Sequence, residues 1–380
     1  MKKLLIMAIV LLLFLFSCKS KIAEKQVEKI AENNLLKQMI LREGEVRLEI
    51  KKVLSFDLTK SKSDVLVVNG VLKGEDGYYF TNKKNVKIYK YDKDGKFIRE
   101  FLKRGQGPGD LSYLMNVRLA NNSVYALSMN KIIKFNKDGN FVFQKRFPNI
   151  HYYPIDIVDD NRVVGEKFNM SVLNGKKGEL KMVELFDIKE GKATKLAGTE
   201  YSGQITLKIG SDYLSLTVPD LSPGIVWAYD TKNKRLYYAN SDEYKITAVG
   251  MDGQKLFDFG RVYKPIRVDI DIINEKFGIL KKNTLKDIKK NVPQYVMPIG
   301  TIEILSSGYI AVYNEFGKAD KAAIDVFDSK GHYIYKLKLP EVLELNKLFF
   351  FNDGNIGYIK ETPNGLVFTE YAVKKPEHIF

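Results

Sequence analysis

The sequence predicts an all-β fold, specifically a six-bladed β-propeller spanning residues 46–380. Short runs of β-branched and aromatic residues begin near Val46 and are interrupted about every ten residues by Gly, Asn or Asp, as expected for strands joined by tight turns. One hairpin recurs along the chain, and its two clearest copies place Gly95 and Gly139 44 residues apart, the length of one four-stranded blade. A ring of blades suits such a chain because it leaves few unpaired strand edges.

Residues 1–17 are predicted to be a signal peptide. Lys2 and Lys3 precede an unbroken apolar run over residues 4–16, which is shorter than the ~20 residues that a membrane-spanning helix needs. Residues 15–18, Leu-Phe-Ser-Cys, resemble the lipobox of bacterial lipoproteins, in which the cysteine is acylated and becomes the new N-terminus. This resemblance implies lipid attachment at Cys18. The alternative is an ordinary cleaved signal with an incidental thiol.

Residues 18–45 are predicted to form a lipidated tether between the anchor and the folded domain. The segment is rich in Lys, Glu, Gln and Asn. Apolar residues recur in it at roughly helical spacing: Ala23, Val27, Ile30, Ala31, Leu35 and Met39. The tether is therefore either a partly helical segment or a loosely ordered spacer, and no chemistry is expected there.

The repeated hairpin defines the blades. Its clear copies are residues 88–97 and 132–141, in which Asp-Gly sits between alternating strands and marks a tight turn. Three weaker copies follow at residues 186–191, 249–253 and 326–331. Five blades are then expected near residues 64–102, 113–147, 153–197, 222–260 and 297–339.

The sixth blade is expected to be split between the two ends of the chain. Residues 344–373 supply about three strands, and residues 47–58 supply a fourth, so that an N-terminal strand closes the ring. Such a blade lacks the repeated turn, which explains why five copies are found. Residues 198–221 and 261–296 are left over, and the second segment is predicted to be an insertion with one or two short helices.

Residues 104–111, Arg-Gly-Gln-Gly-Pro-Gly-Asp-Leu, and residues 122–135 resemble the six-bladed propeller lipoproteins of Bacteroidetes. They are also similar to NHL-repeat and TolB-like propellers, with Asn130-Lys131-Ile132 resembling the Asn-Arg-Ile of an NHL blade. Residues 293–298, before a later strand, resemble the same family. The resemblance implies the fold and an exported location. It implies no common activity, because propellers host enzymes, receptors and assembly platforms.

Known catalytic and nucleotide-binding patterns are missing from the sequence. Gly105, Gly107 and Gly109 do not match a phosphate-binding loop, since Pro108 interrupts them and strand pattern, not a helix, follows. The chain has three histidines and one cysteine, with no zinc-binding spacing and no Gly-x-Ser-x-Gly motif. The single tryptophan, Trp227, is predicted to lie in the core. No cofactor is expected.

The formal net charge is +15, and removal of Lys2 and Lys3 with the signal peptide lowers it to +13. Nucleic acid is not an expected partner of an exported chain, which meets anionic lipid or acidic glycan instead. The lysines are spread along the chain, so most of this charge is interpreted as solvated surface.

These observations predict a non-enzymatic binding or scaffolding module, anchored to a bacterial membrane, most naturally the outer membrane. Its partner would be a protein, peptide or glycan docking at one mouth of the channel, with Arg104, Arg118, Tyr152 and Tyr153 as candidate contacts. The alternative is a lactonase-like hydrolase holding a metal ion in the central channel. Its candidate ligands are Asp156, Asp159, Asp160 and Glu303.

Overall fold

The computed structural model describes most of the chain from Glu45 to Lys374. The described ranges are 45–47, 49–61, 65, 67–120, 122–128, 130–147, 155–169, 172, 178–202, 205–209, 212–216, 221–268, 292–305, 308–313, 323–338, 343, 347–351 and 353–374. The predicted signal peptide, Cys18 and nearly all of the tether lie outside these ranges, as do Tyr152 and Tyr153.

Six of the described sheets each contain four consecutive antiparallel strands, and each of these sheets is one blade of a propeller. Blade 1 comprises Gly70–Gly74, Gly77–Asn82, Lys87–Tyr91 and Phe97–Phe101. Blade 2 comprises Asn116–Ala120, Ser123–Leu127, Lys131–Asn136 and Phe141–Arg146. Blade 3 comprises Ile155–Ile157, Arg162–Phe168, Lys181–Asp187 and Lys192–Thr199. Blade 4 comprises Ile225–Asp230, Arg235–Asn240, Lys245–Gly250 and Lys255–Gly260. Blade 5 comprises Thr301–Ile304, Ile310–Tyr313, Ala323–Phe327 and Tyr333–Lys338. Blade 6 comprises Leu348–Phe350, Ile356–Thr362, Gly365–Lys374 and Glu49–Asp57. The predicted six-bladed propeller is confirmed.

The N-terminal strand closes the ring as predicted. Glu49–Asp57 pairs antiparallel with Gly365–Lys374 and forms the outer strand of blade 6. Just before it, Glu45–Arg47 pairs in parallel with Tyr333–Lys338 and adds a fifth strand to blade 5. This second pairing was not predicted, and it ties blade 5 to the chain segment that completes blade 6.

Smaller elements lie between the blades. Lys103–Arg104 pairs in parallel with Asp110–Leu111 after blade 1, the hairpin Ile205–Ile209 and Asp212–Leu216 follows blade 3, and the helical turn Leu58–Ser61 follows the closing strand. Of the insertion predicted near residues 261–296, the described parts, 261–268 and 292–296, contain no helix and meet through a bridge between Arg267 and Tyr295. Residues 269–291, where the helices were expected, lie outside the described ranges.

The repeated turn joins the third and fourth strands of a blade, and its first residue accepts backbone hydrogen bonds. The Oδ1 atom of Asp92 accepts from the amides of Asp94 and Lys96 at 3.0 and 2.8 Å. In blade 2, Asn136 accepts in the same way from Asp138 and Asn140. The glycines that close these turns have positive φ angles, 82° at Gly95 and 78° at Gly139, which side chains rarely allow.

In four of the five turns, the glycine also lies where one blade meets the outer strand of the blade before it. A Cβ atom at Gly139 would lie 2.8 Å from the ring of Phe101 in blade 1, and one at Gly331 would lie 2.6 Å from Phe259 in blade 4. Gly95 meets Phe56 in the closing strand of blade 6 in the same way. The repeated glycine is therefore a junction between blades as well as a turn residue.

Hydrogen bonds reinforce these junctions. Tyr79 and Lys90 of blade 1 donate to the carbonyl of Lys137 in the turn of blade 2, at 3.2 and 2.8 Å. Tyr237 of blade 4 donates to the carbonyl of Ser329 in the turn of blade 5, at 3.1 Å. A buried side chain that donates to a carbonyl satisfies a polar group that would otherwise be costly to bury.

We expect Gly139→Ala to lower the free energy of unfolding by about 2–5 kcal/mol. An L-residue at positive φ costs about 1–2 kcal/mol, and overpacking against Phe101 adds about 1–3 kcal/mol. Gly191→Ala is the matched control, because Gly191 has a φ of 67° in the corresponding turn of blade 3 and a Cβ atom there would meet no other atom within 4 Å. Urea unfolding of both variants tests this, and equal losses would show that the blade contact contributes nothing.

The stability of the propeller should fall between pH 10 and 12, in part through Tyr237. Burial raises the pKa of Tyr237 to about 12 from its ordinary value of 10.0. The folded state holds the phenolic proton of Tyr237 more tightly than the unfolded state does. The contribution of Tyr237 to stability is therefore complete below pH 10 and is lost as pH rises towards 12. In the Tyr237→Phe variant, the free energy of unfolding should fall less steeply over this pH range, by up to ~1.4 kcal/mol per pH unit. Tyr113→Phe, at a side chain that is 65% exposed, should leave the unfolding profile unchanged.

Candidate functional site

The first strands of the six blades surround a central cavity of about 470 Å³. This position makes the first strand of each blade the innermost one. The cavity is lined by charged and aromatic side chains, among them Lys73, Arg118, Asp156, Trp227, Asp230, Lys232, Glu303 and Phe350. Trp227 was predicted to lie in the core, and it packs against the core between blades 3 and 4 while also lining this cavity.

Arg118 and Asp156 form a bidentate ion pair across the first strands of blades 2 and 3. The Nε and Nη2 atoms of Arg118 donate to the two carboxylate oxygens of Asp156, both at 2.6 Å. The side chain of Asp156 is 5% exposed and that of Arg118 is 46% exposed, so the guanidinium faces the cavity. Asp156, and more weakly Glu303, hold the pKa of Arg118 above its ordinary value.

This ion pair fixes the shape of the cavity wall. Asp156 also accepts from the amide of Ile157 at 2.7 Å, and Asn116 donates to the carbonyl of Ile155 at 3.0 Å. The two inner strands are therefore joined by side chains along the edge that faces the channel. A guanidinium held in this way still has N–H donors for an anionic or carbonyl group of a ligand.

The four acidic residues considered as metal ligands are not brought together. Asp156 and Glu303 line the cavity, but Asp156 is paired with Arg118, and Glu303 accepts from Tyr313 at 2.9 Å. Asp159 and Asp160 lie in the first turn of blade 3. Asp159 accepts a hydrogen bond from Arg162, and Asp160 accepts hydrogen bonds from Tyr125 and Lys134 of blade 2. Within the described ranges, no group of three or more His, Cys, Asp or Glu is placed to hold a metal ion.

Arg104 lies outside the central cavity, so the structure separates it from Arg118. Its exposed side chain donates to the carbonyl of Lys84 at 2.7 Å. The glycine-rich loop after it folds back on itself, with the amide of Gly105 donating to Leu111 and that of Asp110 to Gly107. The loop leads into the first strand of blade 2, as expected for a turn between blades.

A second cavity of about 640 Å³, here called the groove, lies between the first hairpins of blades 1 and 2. It is lined by the turn Gly74–Gly77 and by Asn122 and Ser123, with Lys93, Lys137 and Asp353 among the charged residues at its walls. Lys73 and Leu119 line both the groove and the central cavity, so the two spaces adjoin. This groove was not predicted from the sequence, although both clear copies of the repeated turn carry a lysine that lines it.

We expect Arg118→Met to lower the free energy of unfolding by about 1–3 kcal/mol, because it leaves the buried carboxylate of Asp156 without its cation. Arg118→Met combined with Asp156→Asn should recover part of this loss. The matched pair Arg162–Asp159 is 37% and 36% exposed, so Arg162→Met should cost less than about 1 kcal/mol. Denaturant unfolding of the single and double variants measures the coupling, and equal coupling at both pairs would contradict this prediction.

Comparisons with known proteins agree with this fold. Residues 46–214 match the DUF5128 family, described as a 6-bladed beta-propeller. Among solved structures, the chain is similar to a DUF4221 family member from Bacteroides vulgatus, with 13% identity, a TM-score of 0.53 and coverage of 87% of this chain and 99% of that one. It is also similar to a protein from Bacteroides fragilis provisionally described as exported, with 14% identity, a TM-score of 0.51 and coverage of 87% and 99%.

No curated protein matches the sequence. Among the described residues, no helix is both long and apolar enough to cross a membrane. The predicted resemblance to the six-bladed propellers of Bacteroidetes is confirmed at the level of the fold. The chain is a six-bladed β-propeller whose residues 46–214 match the DUF5128 family.

Proposed function

We propose that this protein is an exported, lipid-anchored binding module that holds a protein, peptide or glycan at its central cavity. The apolar run after Lys2 and Lys3, followed by Ser17-Cys18, supports export and lipidation at Cys18. The likeness to a Bacteroides fragilis protein provisionally described as exported agrees with this. The anchor would place the propeller at the outer membrane, facing the periplasm or the cell surface.

The observation that carries the proposal is the adjoining pair of cavities. The central cavity and the groove share Lys73 and Leu119, and both have the size range of ligand sites. They lie side by side, one in the channel and the other between blades 1 and 2. Two adjoining cavities suit an extended ligand better than a small metabolite.

The charged groups of the central cavity favour binding over catalysis. Asp156 is held by Arg118, and Asp230 accepts hydrogen bonds from the amides of Lys232 and Asn233 at 3.0 Å. Preorganised groups of this kind present a fixed surface to a ligand, which lowers the cost of ordering on binding. Within the described ranges, no group of acidic residues or histidines specifically favours the channel-metal hydrolase.

We expect cross-linked affinity capture from the native membrane to recover a partner that depends on both the anchor and the cavity. The cavity variant is Arg118→Met with Asp156→Asn, which removes the ion pair while keeping side-chain volume. Arg162→Met with Asp159→Asn removes a similar pair that does not line the cavity and serves as the control. Cys18→Ser tests the anchor.

The partner should be recovered with the wild type and with the control variant, and lost or reduced about tenfold with the cavity variant, since losing a buried charged contact costs more than ~1.4 kcal/mol. Circular dichroism establishes that both variants are folded. Equal recovery with the cavity and control variants would place the binding surface elsewhere and contradict the proposal.

A further inference from the structure

We propose that the groove between blades 1 and 2 binds a linear acidic oligosaccharide, with its anionic groups held by Lys93 and Lys137. This inference rests on the proposed binding function and names the ligand class for the part of the site outside the channel. Three observations support it: the repeated turns place two lysines at the groove, the other cations of the groove are already paired, and polar groups lie beside the two lysines.

Lys93 and Lys137 occupy the same position in two copies of the repeat. Each follows the first residue of its turn, in Asp-Lys-Asp-Gly and Asn-Lys-Asp-Gly, and both line the groove. In blades 3 and 4 the corresponding residues are Ile188 and Met251, which pack against hydrophobic clusters between blades. The turn itself therefore does not require a lysine, and lysine occurs at the two turns beside the groove.

The other cations of this region are already paired. The ammonium of Lys73 lies 2.5 Å from Asp353 and 2.6 Å from Glu370, and that of Lys90 lies 2.5 Å from Asp76. Among the described residues, Lys93 and Lys137 form no ion pair, and both are exposed. Their charges are available to a ligand, whereas those of Asp76 and Asp353 are balanced by neighbouring lysines.

The backbone holds Lys137 in place. Its carbonyl accepts hydrogen bonds from Lys90 at 2.8 Å and from Tyr79 at 3.2 Å, both of blade 1. The turn that carries Lys137 is thus fixed to the opposite wall of the groove. A cation on a fixed turn loses less entropy when it binds an anion than one on a mobile loop does.

The groups beside the lysines suit a sugar chain. Asn122 and Ser123 contribute an amide and a hydroxyl, and the exposed carboxylate of Glu75 accepts hydrogen bonds from hydroxyl groups. A hydroxyl-rich chain that also carries carboxylates matches both Glu75 and the two lysines, whereas a peptide of acidic residues offers carboxylates to the lysines but no hydroxyl groups to Glu75.

The test is calorimetric titration of the detergent-purified full chain with trigalacturonate, with neutral galactotriose and with triglutamate. The groove variant is Lys93→Gln with Lys137→Gln. The matched control is Lys189→Gln with Lys330→Gln, which removes two lysines from the turns of blades 3 and 5, outside the lining of both cavities, and changes the net charge equally. All titrations are repeated at raised ionic strength.

We expect trigalacturonate to bind at least about tenfold more tightly than galactotriose, with affinity falling as salt rises, because exposed ion pairs are screened. The groove variant should lose about tenfold in affinity, and the control variant less than about twofold. Absence of trigalacturonate binding, equal binding of galactotriose, tighter binding of triglutamate, or equal losses in both variants would each overturn the inference. The capture experiment with the Arg118–Asp156 variant judges the proposed binding function separately.

Discussion

The structure depends on one contact that recurs at four of the blades, in which the turn between the third and fourth strands of a blade packs against the outer strand of the blade before it. Glycine at the tip allows both the positive φ angle and the close approach of a phenylalanine ring, as at Gly139 on Phe101 and Gly331 on Phe259. A side chain at this point would separate the blades, and each blade buries its faces only when its neighbours are in place. Blade 6 has no such turn, because its third and fourth strands come from opposite ends of the chain. There, the parallel pairing of Glu45–Arg47 with blade 5 provides a contact between the completing segment and the preceding blade.

The polar side chains between blades follow from the same geometry. The innermost strand of each blade has one edge that faces the channel, and its backbone groups need partners. Hydrogen bonds of Asn116, Arg118 and Asp156 join two of these edges. The same hydrogen bonds order one wall of the central cavity. The cavity is therefore lined by groups whose positions are set before any ligand arrives. For the proposed binding function, this favours recognition by a rigid surface over a mechanism that requires the blades to move.

The sequence was sufficient to predict the fold because the repeat is local: the turn at Gly95 and the turn at Gly139 each carry their own pattern of strand, Asp or Asn, and glycine. Closure by residues 47–58 followed from counting strands. The site was less predictable, since it depends on which residues face each other across a junction. Arg118 and Asp156 are 38 residues apart and meet because they occupy neighbouring inner strands. Asp159 and Asp160 stand beside Asp156 in sequence, yet they occupy the turn that follows the strand and bind other partners.

The position of the groove relates the proposed ligand site to the closure of the ring. Lys73, which lines both cavities, pairs with Glu370 in the third strand of blade 6, and Tyr78 donates to the same carboxylate. Glu370 lies opposite Leu54 in the strand supplied by the N-terminal segment. Phe56 from that segment packs against aromatic rings of both blade 6 and blade 1. A ligand that contacts Lys73 therefore touches the junction at which the two ends of the chain meet, next to the segment through which the proposed anchor is attached. In blade 6 the third and fourth strands are not joined by a turn, because they come from opposite ends of the chain. A ligand bound at this junction would stabilise it, since a ligand held only by the folded ring adds its binding free energy to the stability of that ring.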